Sequence, residues 1–374
     1  MRITLRHRND EFLLPERARA LRTMPARPPV ALVTGVTGFI ASELAAQLLR
    51  KGWSVRGSVR DTGDARCAAL LGLAASLPGS LTLSSADLLA DGSFDALVVG
   101  CDFVFHVASP FFIDSTDPQV ELVAPALAGT INVLGAVAKA NKAAAAGSPA
   151  SRPVQRVVLT SSVAAVHGEY AAPPRNGGPL YAEDDFNCTS TLANGQAYHV
   201  SKVRAEEEAW RMAGATGLDL VVICPNFVLG PPLLRGAGGT SVGWARGLVE
   251  GEAAPEGTPI VCDVRDVARA HVLAAEVAGA SGRYIVSHPG PLAPGTVEAV
   301  LRERLPGCVV LPAVEPGAGA VEGEQGADPL RPRIDGSRAA AELGLALRPM
   351  RETVADMVTA CVVLGLATPR EAGK

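Results

Sequence analysis

Val33-Thr34-Gly35-Val36-Thr37-Gly38-Phe39-Ile40-Ala41 is the stretch on which the fold of this chain turns. Before it lies an apolar run, Val30-Ala31-Leu32-Val33, punctuated by Pro28-Pro29, that reads as a buried strand. After it, Gly38 to Lys51 carries Ile40, Leu44, Ala45, Leu48 and Leu49 at helical spacing and stops at Gly52. A glycine-rich turn between strand and helix has a physical use. The glycines allow a tight turn and let backbone approach an anion, while the helix N-terminus offers free N–H groups and a partial positive charge. In that setting the pattern reads as a dinucleotide pyrophosphate site, with Ala41 small enough to stand for a third glycine.

Working outward, the same alternation repeats. Ser54 to Val59, Leu81-Thr82-Leu83, Phe103 to Val107, Arg156 to Thr160 and Leu220 to Cys224 read as further strands, with helices over Val120–Ala140 and from about Gln196 to Gly214. Parallel strands need crossover helices, so this rhythm predicts an α/β fold with a doubly wound parallel sheet of about seven strands. After Pro225 the rhythm gives way to Gly/Pro-rich loops, with helical patterning again over residues 336–366. Ligands of such sheets sit outside the carboxyl ends of the strands. The expected organisation is therefore one catalytic domain over residues 30–366, with a cofactor-binding core of about 30–225 and a smaller C-terminal substrate lobe mainly over 226–350. Residues 367–374 are a tail, and the Gly-, Pro- and acid-rich 315–333 a mobile loop.

The totals narrow the function. The chain has 374 residues, 48% hydrophobic, with net charge −4. That balance offers no electrostatic footprint for nucleic acid or an anionic membrane, and 4% aromatics leaves few stacking platforms for single strands. Small molecules are the expected partners. Seven scattered cysteines without a C-x-x-C pair argue against a disulfide framework and a structural zinc, so no metal is expected. No apolar run approaches the ~20 residues of a membrane span. Residues 1–29 are Arg-rich but lack serine and carry Asp10, Glu11 and Glu16. They read as a tail, disordered or targeting, of which residues 1–23 precede the true start if translation begins at Met24. The expected location is the cytoplasm, with organellar import as the alternative.

Further residues specify chemistry. Arg60 follows the second strand, where a ribose 2′-phosphate needs a cation, with Arg66 in reach to assist; this favours NADP over NAD, although Asp61 could serve an NAD site instead. Asp87 and Leu88 end the third strand, where an acid can bond an adenine amino group or simply cap a helix. Val107, Ala108 and Ser109 end the fourth strand and leave room for a ribose. Tyr198 and Lys202 stand at i and i+4 of a helix, on one face. A tyrosine is a weak acid at neutral pH, and a neighbouring ammonium favours its phenolate form. Ser162 ends the fifth strand, where a hydroxyl can hold a carbonyl oxygen. A lone Y-x-x-x-K is usually a surface pair; behind a strand-ending Ser-Ser and a dinucleotide turn, the catalytic reading prevails.

Together these stretches resemble the extended short-chain dehydrogenase/reductases, and within them the dihydroflavonol 4-reductase and cinnamoyl-CoA reductase-like group. The likeness is carried by VTGVTGFIASELAAQLLRKGWSVRGSVRD, ADLLADGSFDALVVGCDFVFHVASP, GTINVL, RVVLTSSVAAV, YHVSK, NFVLGPPL, DVRDVARAH and SRAAAELGL, and it runs from about Val30 to Gly365. It implies a Rossmann-type fold, NADP(H) as cofactor and hydride transfer to a ketone or aldehyde. It also implies Ser162 as carbonyl-binding residue, Tyr198 as proton donor and Lys202 as its activator. Gly35, Gly38, Phe39 and Ile40 would lie at the pyrophosphate, Arg60 at the 2′-phosphate, Asp87 at the adenine, and Pro225 and Val228 at the nicotinamide. Asn132 would support the active site or pack a helix, and His167 would face the substrate or sit satisfied in its loop. The Tyr198-His199-Val200-Ser201-Lys202 form departs from the plant N-W-Y-C-Y-G-K form, and the insertion 143–153 is peculiar to this chain. A nucleotide-sugar epimerase or dehydratase holding NAD, and a non-catalytic dinucleotide-binding redox sensor, are the alternatives. A monomer or homodimer is expected.

Overall fold

The computed structural model describes residues 21–109, 116–148, 152–168, 174, 177–253, 260–311 and 334–371. The strands are β1 (Val30–Val33), β2 (Ser54–Val59), β3 (Ser80–Ser85), β4 (Phe103–His106), β5 (Arg156–Thr160), β6 (Leu220–Pro225), β7 (Phe227–Leu229), β8 (Val261–Asp263) and β9 (Gly282–Val286). The α-helices are α1 (Phe39–Arg50), α2 (Ala65–Ala74), α3 (Asp95–Val98), α4 (Ala124–Ala145), α5 (Ala197–Thr216), α6 (Thr240–Val249), α7 (Val264–Glu276), α8 (Thr296–Arg304) and α9 (Met350–Val363). Seven strands form one parallel sheet in the order β3-β2-β1-β4-β5-β6-β9, and β7 and β8 pair separately. The chain moves outward from β1 to β3 and then crosses to β4. The strand order reverses there, which opens a crevice at the carboxyl ends of β1 and β4.

Helices cover both faces, so central strands are apolar throughout and their side chains alternate between two cores. Val158 points into the core under α1 and α7, while Val157 and Leu159 point into the one under α4 and α5. Edge strand β3 alternates exposed and half-buried residues instead. A third core, around Val242, Leu248, Val300, Val354 and Met357, holds α6, α8 and α9 on the β7–β8 pair.

Several expectations are corrected. The βα rhythm does not end at Pro225: α7 packs beside α1, and β9 extends the main sheet. The small lobe therefore interleaves with the large one, and α9, beyond residue 350, belongs to it. The helix expected to end at Ala140 runs to Ala145 and is preceded by a π turn at Gln119–Val123. By length and composition alone Gln119–Ala145 could cross a membrane. Half of its most apolar window is buried inside the body, as befits a core helix.

Nor are residues 21–29 a loose tail. Leu21 bridges Val277, Arg22 pairs with Asp219, and Arg27 donates to Asp102 at 2.8 Å. Residues 367–371 are likewise laid down, with Val309 N–H donating to the Arg370 carbonyl at 2.7 Å. Residues 1–20, the loop 315–333 and residues 149–151 of the insertion lie outside the described residues.

Candidate active site

The carboxyl ends of the strands open on a cavity of about 2140 Å³. At one end lies the glycine-rich turn. Gly35 has φ +61° and a Cβ there would stand 2.9 Å from the Ala108 Cβ, so only glycine fits. Gly38 precedes α1 without any side-chain cap, and the first turn of α1 has no acid. The helix start thus presents uncapped N–H groups to the cavity, with Phe39 and Ile40 lining it. Thr34, which the sequence reading passed over, locks this corner. Its Oγ1 accepts from the N–H groups of Val107 at 3.0 Å and Ala108 at 2.9 Å, and lies 3.1 Å from His106 Nδ1. With both lone pairs engaged it donates to that nitrogen, which fixes the His106 tautomer. Burial, and then the charge of Lys202, push the His106 pKa down to about 3.

At the carboxyl end of β2, Arg60 is exposed, lines the cavity, and has no acid partner among the described residues. Arg66 lines it too, but its guanidinium grips Asp64 with contacts of 3.0 and 2.5 Å, and this pair holds the Asp64 carboxyl at about 2. Asp61 is turned to the Gly63 N–H at 2.8 Å. Asp87 is exposed at the cavity beside Leu88, with one carboxylate oxygen accepting from Leu89 N–H at 2.9 Å. Asn132 stands away from the chemistry and braces this loop. It donates to the carbonyls of Leu88 at 3.2 Å and Ala90 at 2.7 Å and accepts from Gly92 N–H at 3.1 Å.

Farther along, Val107, Ala108, Ser109, Pro225 and Val228 line the same space. Tyr198 and Lys202 project from one face of α5, with the ammonium 5.7 Å from the tyrosine ring centre. Lys202 is 8% exposed, and no described residue gives its ammonium an acid or a hydrogen-bond acceptor. Ser162 caps the short turn Val163–Ala165, its Oγ accepting from Ala164 N–H at 3.2 Å, which leaves its own proton to donate. The two adjacent serines divide their work. Ser161 donates to Glu206 at 2.5 Å, so Ser162 alone keeps a hydroxyl proton for the cavity. His167 is buried against Tyr181, ring centres 5.4 Å apart, with Nδ1 3.4 Å from the Gly168 carbonyl; burial pushes its pKa down to about 4.

Behind the site is a buried ion pair that the sequence reading did not find. Glu206, one turn beyond Lys202, is fully buried and meets Arg283 of β9 at 2.7 Å. Arg283 also donates to the carbonyls of Glu183 and Asp185, and Asn187 of the same loop donates to the Ala164 carbonyl at 2.7 Å. The pair therefore ties α5 and β9 to the loop beneath Ser162. Phe227 and Trp244, edge to face at 6.1 Å, complete the wall from the small lobe. Phe227 lies in the NFVLGPPL stretch but was not singled out there, and Trp244 carries no motif, so the fold discloses their pairing.

A buried ammonium and an exposed guanidinium that meet no acid among the described residues, a glycine cradle that a Cβ would fill and an open helix start fit one dinucleotide. Among the described residues no cluster of metal-ligating side chains is present.

A profile of the NAD dependent epimerase/dehydratase family matches residues 31–286. The chain is 41% identical to a cinnamoyl-CoA reductase of Medicago truncatula over 68% of this chain and 74% of that protein. It is 33% identical to a dihydroflavonol 4-reductase of Arabidopsis thaliana over 76% of this chain and 71% of that one. A Candida albicans Gre2 structure in complex with NADPH superposes with a TM-score of 0.73 at 27% identity, covering 90% of this chain and 99% of the other. The chain belongs to the epimerase/dehydratase family of extended short-chain dehydrogenase/reductases.

Proposed function

We propose that this protein is an NADPH-dependent reductase of ketones or aldehydes. The observation that carries the reading is the meeting of Tyr198, Lys202 and Ser162 in the cavity that also holds the Gly35–Ile40 turn and Arg60. The dinucleotide, when bound, supplies the hydride. Arg60 grips the 2′-phosphate, the α1 start meets the pyrophosphate, Asp87 bonds the adenine, and Val107, Ala108, Ser109, Pro225 and Val228 shape the space between. Lys202 gains the ribose hydroxyls as the acceptors that the protein itself does not give it. Ser162 donates to the substrate carbonyl oxygen, and Tyr198 delivers the proton that this oxygen needs as hydride reaches the carbon.

Reductases, among them a cinnamoyl-CoA reductase and a dihydroflavonol 4-reductase, recur among the relatives, which supports the reading. A small-molecule substrate, a single catalytic domain and a location in the cytoplasm accompany it. The NAD-dependent epimerase or dehydratase alternative is disfavoured by Arg60, because an NAD site calls for an acid at that strand end. The test is NADPH oxidation by the full chain across dihydroflavonols, cinnamoyl thioesters, aromatic aldehydes and ketoaldehydes. Turnover is expected with at least one class. Tyr198→Phe should lower kcat by about 10³-fold, on the scale of general acid catalysis, while binding NADPH as before. A variant with near-normal kcat would sink the mechanism.

A further inference from the structure

Among the described histidines, His199 stands apart. His106, His167, His271 and His288 each have a ring nitrogen within hydrogen-bond distance of a protein atom. Neither ring nitrogen of His199 meets a partner among the described residues, although the side chain is half-buried and lines the active cavity. Its ring is oriented by edge contacts to Tyr198 (6.1 Å, 81°) and to His167 (6.3 Å, 61°). Burial lowers its pKa, so at neutral pH it is an imidazole with one donor and one acceptor. In the free protein both can be met by water. Once a substrate displaces that water, each is orphaned unless the substrate bonds it, and an orphaned buried polar group costs about 1–3 kcal/mol.

We propose that His199 determines specificity by hydrogen-bonding an oxygen of the substrate other than the carbonyl oxygen served by Tyr198. The inference rests on the carbonyl-reductase reading. The rings of Tyr198 and His199 both line the cavity, with their centres 6.1 Å apart. The second oxygen therefore lies within a few bonds of the reacting carbon. The preferred substrate class is a carbonyl compound with a neighbouring hydroxyl or second carbonyl, and a bare ketone of the same shape is discriminated against. Such discrimination is strong where a site is built to bond an oxygen and weak where a pocket merely admits one.

The experiment compares 2-hydroxyacetophenone with propiophenone, in which a methyl replaces the hydroxyl, using the full chain and NADPH. Wild type should favour the hydroxy ketone in kcat/KM. His199→Phe should collapse that ratio by about 10–100-fold, the loss expected for one hydrogen bond in a water-excluded site, with most of the change in KM. His199→Gln, which keeps a donor and an acceptor, should restore part of it. A ratio that stays the same in His199→Phe overturns the proposal. If wild type turns over neither ketone but does turn over a member of the wider carbonyl panel, binding decides on His199; no turnover with any of them puts the reductase reading at fault. With NADP⁺ present, 1-phenyl-1,2-ethanediol should raise the wild-type Tm more than 1-phenyl-1-propanol, and His199→Phe should lose the difference. Equal shifts in wild type overturn the assignment.

Discussion

Arg60 and Arg66 show how much a single residue's setting decides. Both line the cavity, yet Arg66 is held in a bidentate pair with Asp64, whereas Arg60 is exposed and has no acid partner among the described residues. A guanidinium already paired adds little net attraction for a phosphate; an unpaired one adds a charge-assisted, bidentate contact. Arg60→Ala should therefore raise the Kd for NADPH by about 10–100-fold, the scale of hydrogen bonds to charged groups, and leave NADH binding nearly as it was. Fluorescence titration with both nucleotides measures this, and equal losses for the two would contradict the assignment. The sequence offered both arginines, because residue type and strand end are visible in it. It could not show which one Asp64 engages.

Helix α5 carries three polar groups at four-residue intervals, Tyr198, Lys202 and Glu206, and the fold gives each a different environment. Tyr198 and Lys202 meet the cavity, while Glu206 is buried behind them against Arg283, Ser161 and Trp210. Removing one member of such a pair leaves the other charge buried without compensation. Glu206→Ala should cost about 3–5 kcal/mol in urea unfolding. The loop anchored by Arg283 should loosen as well, which faster amide exchange over residues 181–187 would report. A loss below 1 kcal/mol would show that the pair is dispensable. Element existence was legible here, since α5 lies within two residues of its expected bounds. The helix period also placed Tyr198 and Lys202 on one face. The partner on β9 was hidden, because Arg283 comes from a region whose glycines and prolines masked a βα unit.

For the molecule as a whole, buried imidazoles couple folding to pH. His271 is enclosed between Thr160 and the Val267 carbonyl, and burial pushes its pKa down to about 4; His167 behaves alike. The unfolded chain takes up these protons near pH 6.5 and the folded chain only near 4. Their stabilising contribution is therefore complete above pH 6.5 and is lost as pH falls from there toward 4. Stability should drop by roughly 2–3 kcal/mol per buried histidine over that window. Guanidinium unfolding at pH 7.5 and 4.5 checks this, and His271→Gln should show a shallower fall than wild type; an identical slope would remove His271 from the account. By itself the sequence determined the layered α/β fold and the turn at Gly35–Ile40, and it picked out Ser162, Tyr198 and Lys202 as candidates. These rest on local patterns, namely apolar period, glycine at a strand–helix junction and i, i+4 spacing. Only the tertiary structure decided that residues 264–286 return to the main sheet and that residues 21–29 strap its underside. It alone decided that Thr34 locks two strand ends, that Asn132 braces the Asp87 loop, and that His199 lines the cavity without a hydrogen-bond partner among the described residues. Each of those depends on contacts between residues far apart in the chain, which packing selects and local pattern does not encode.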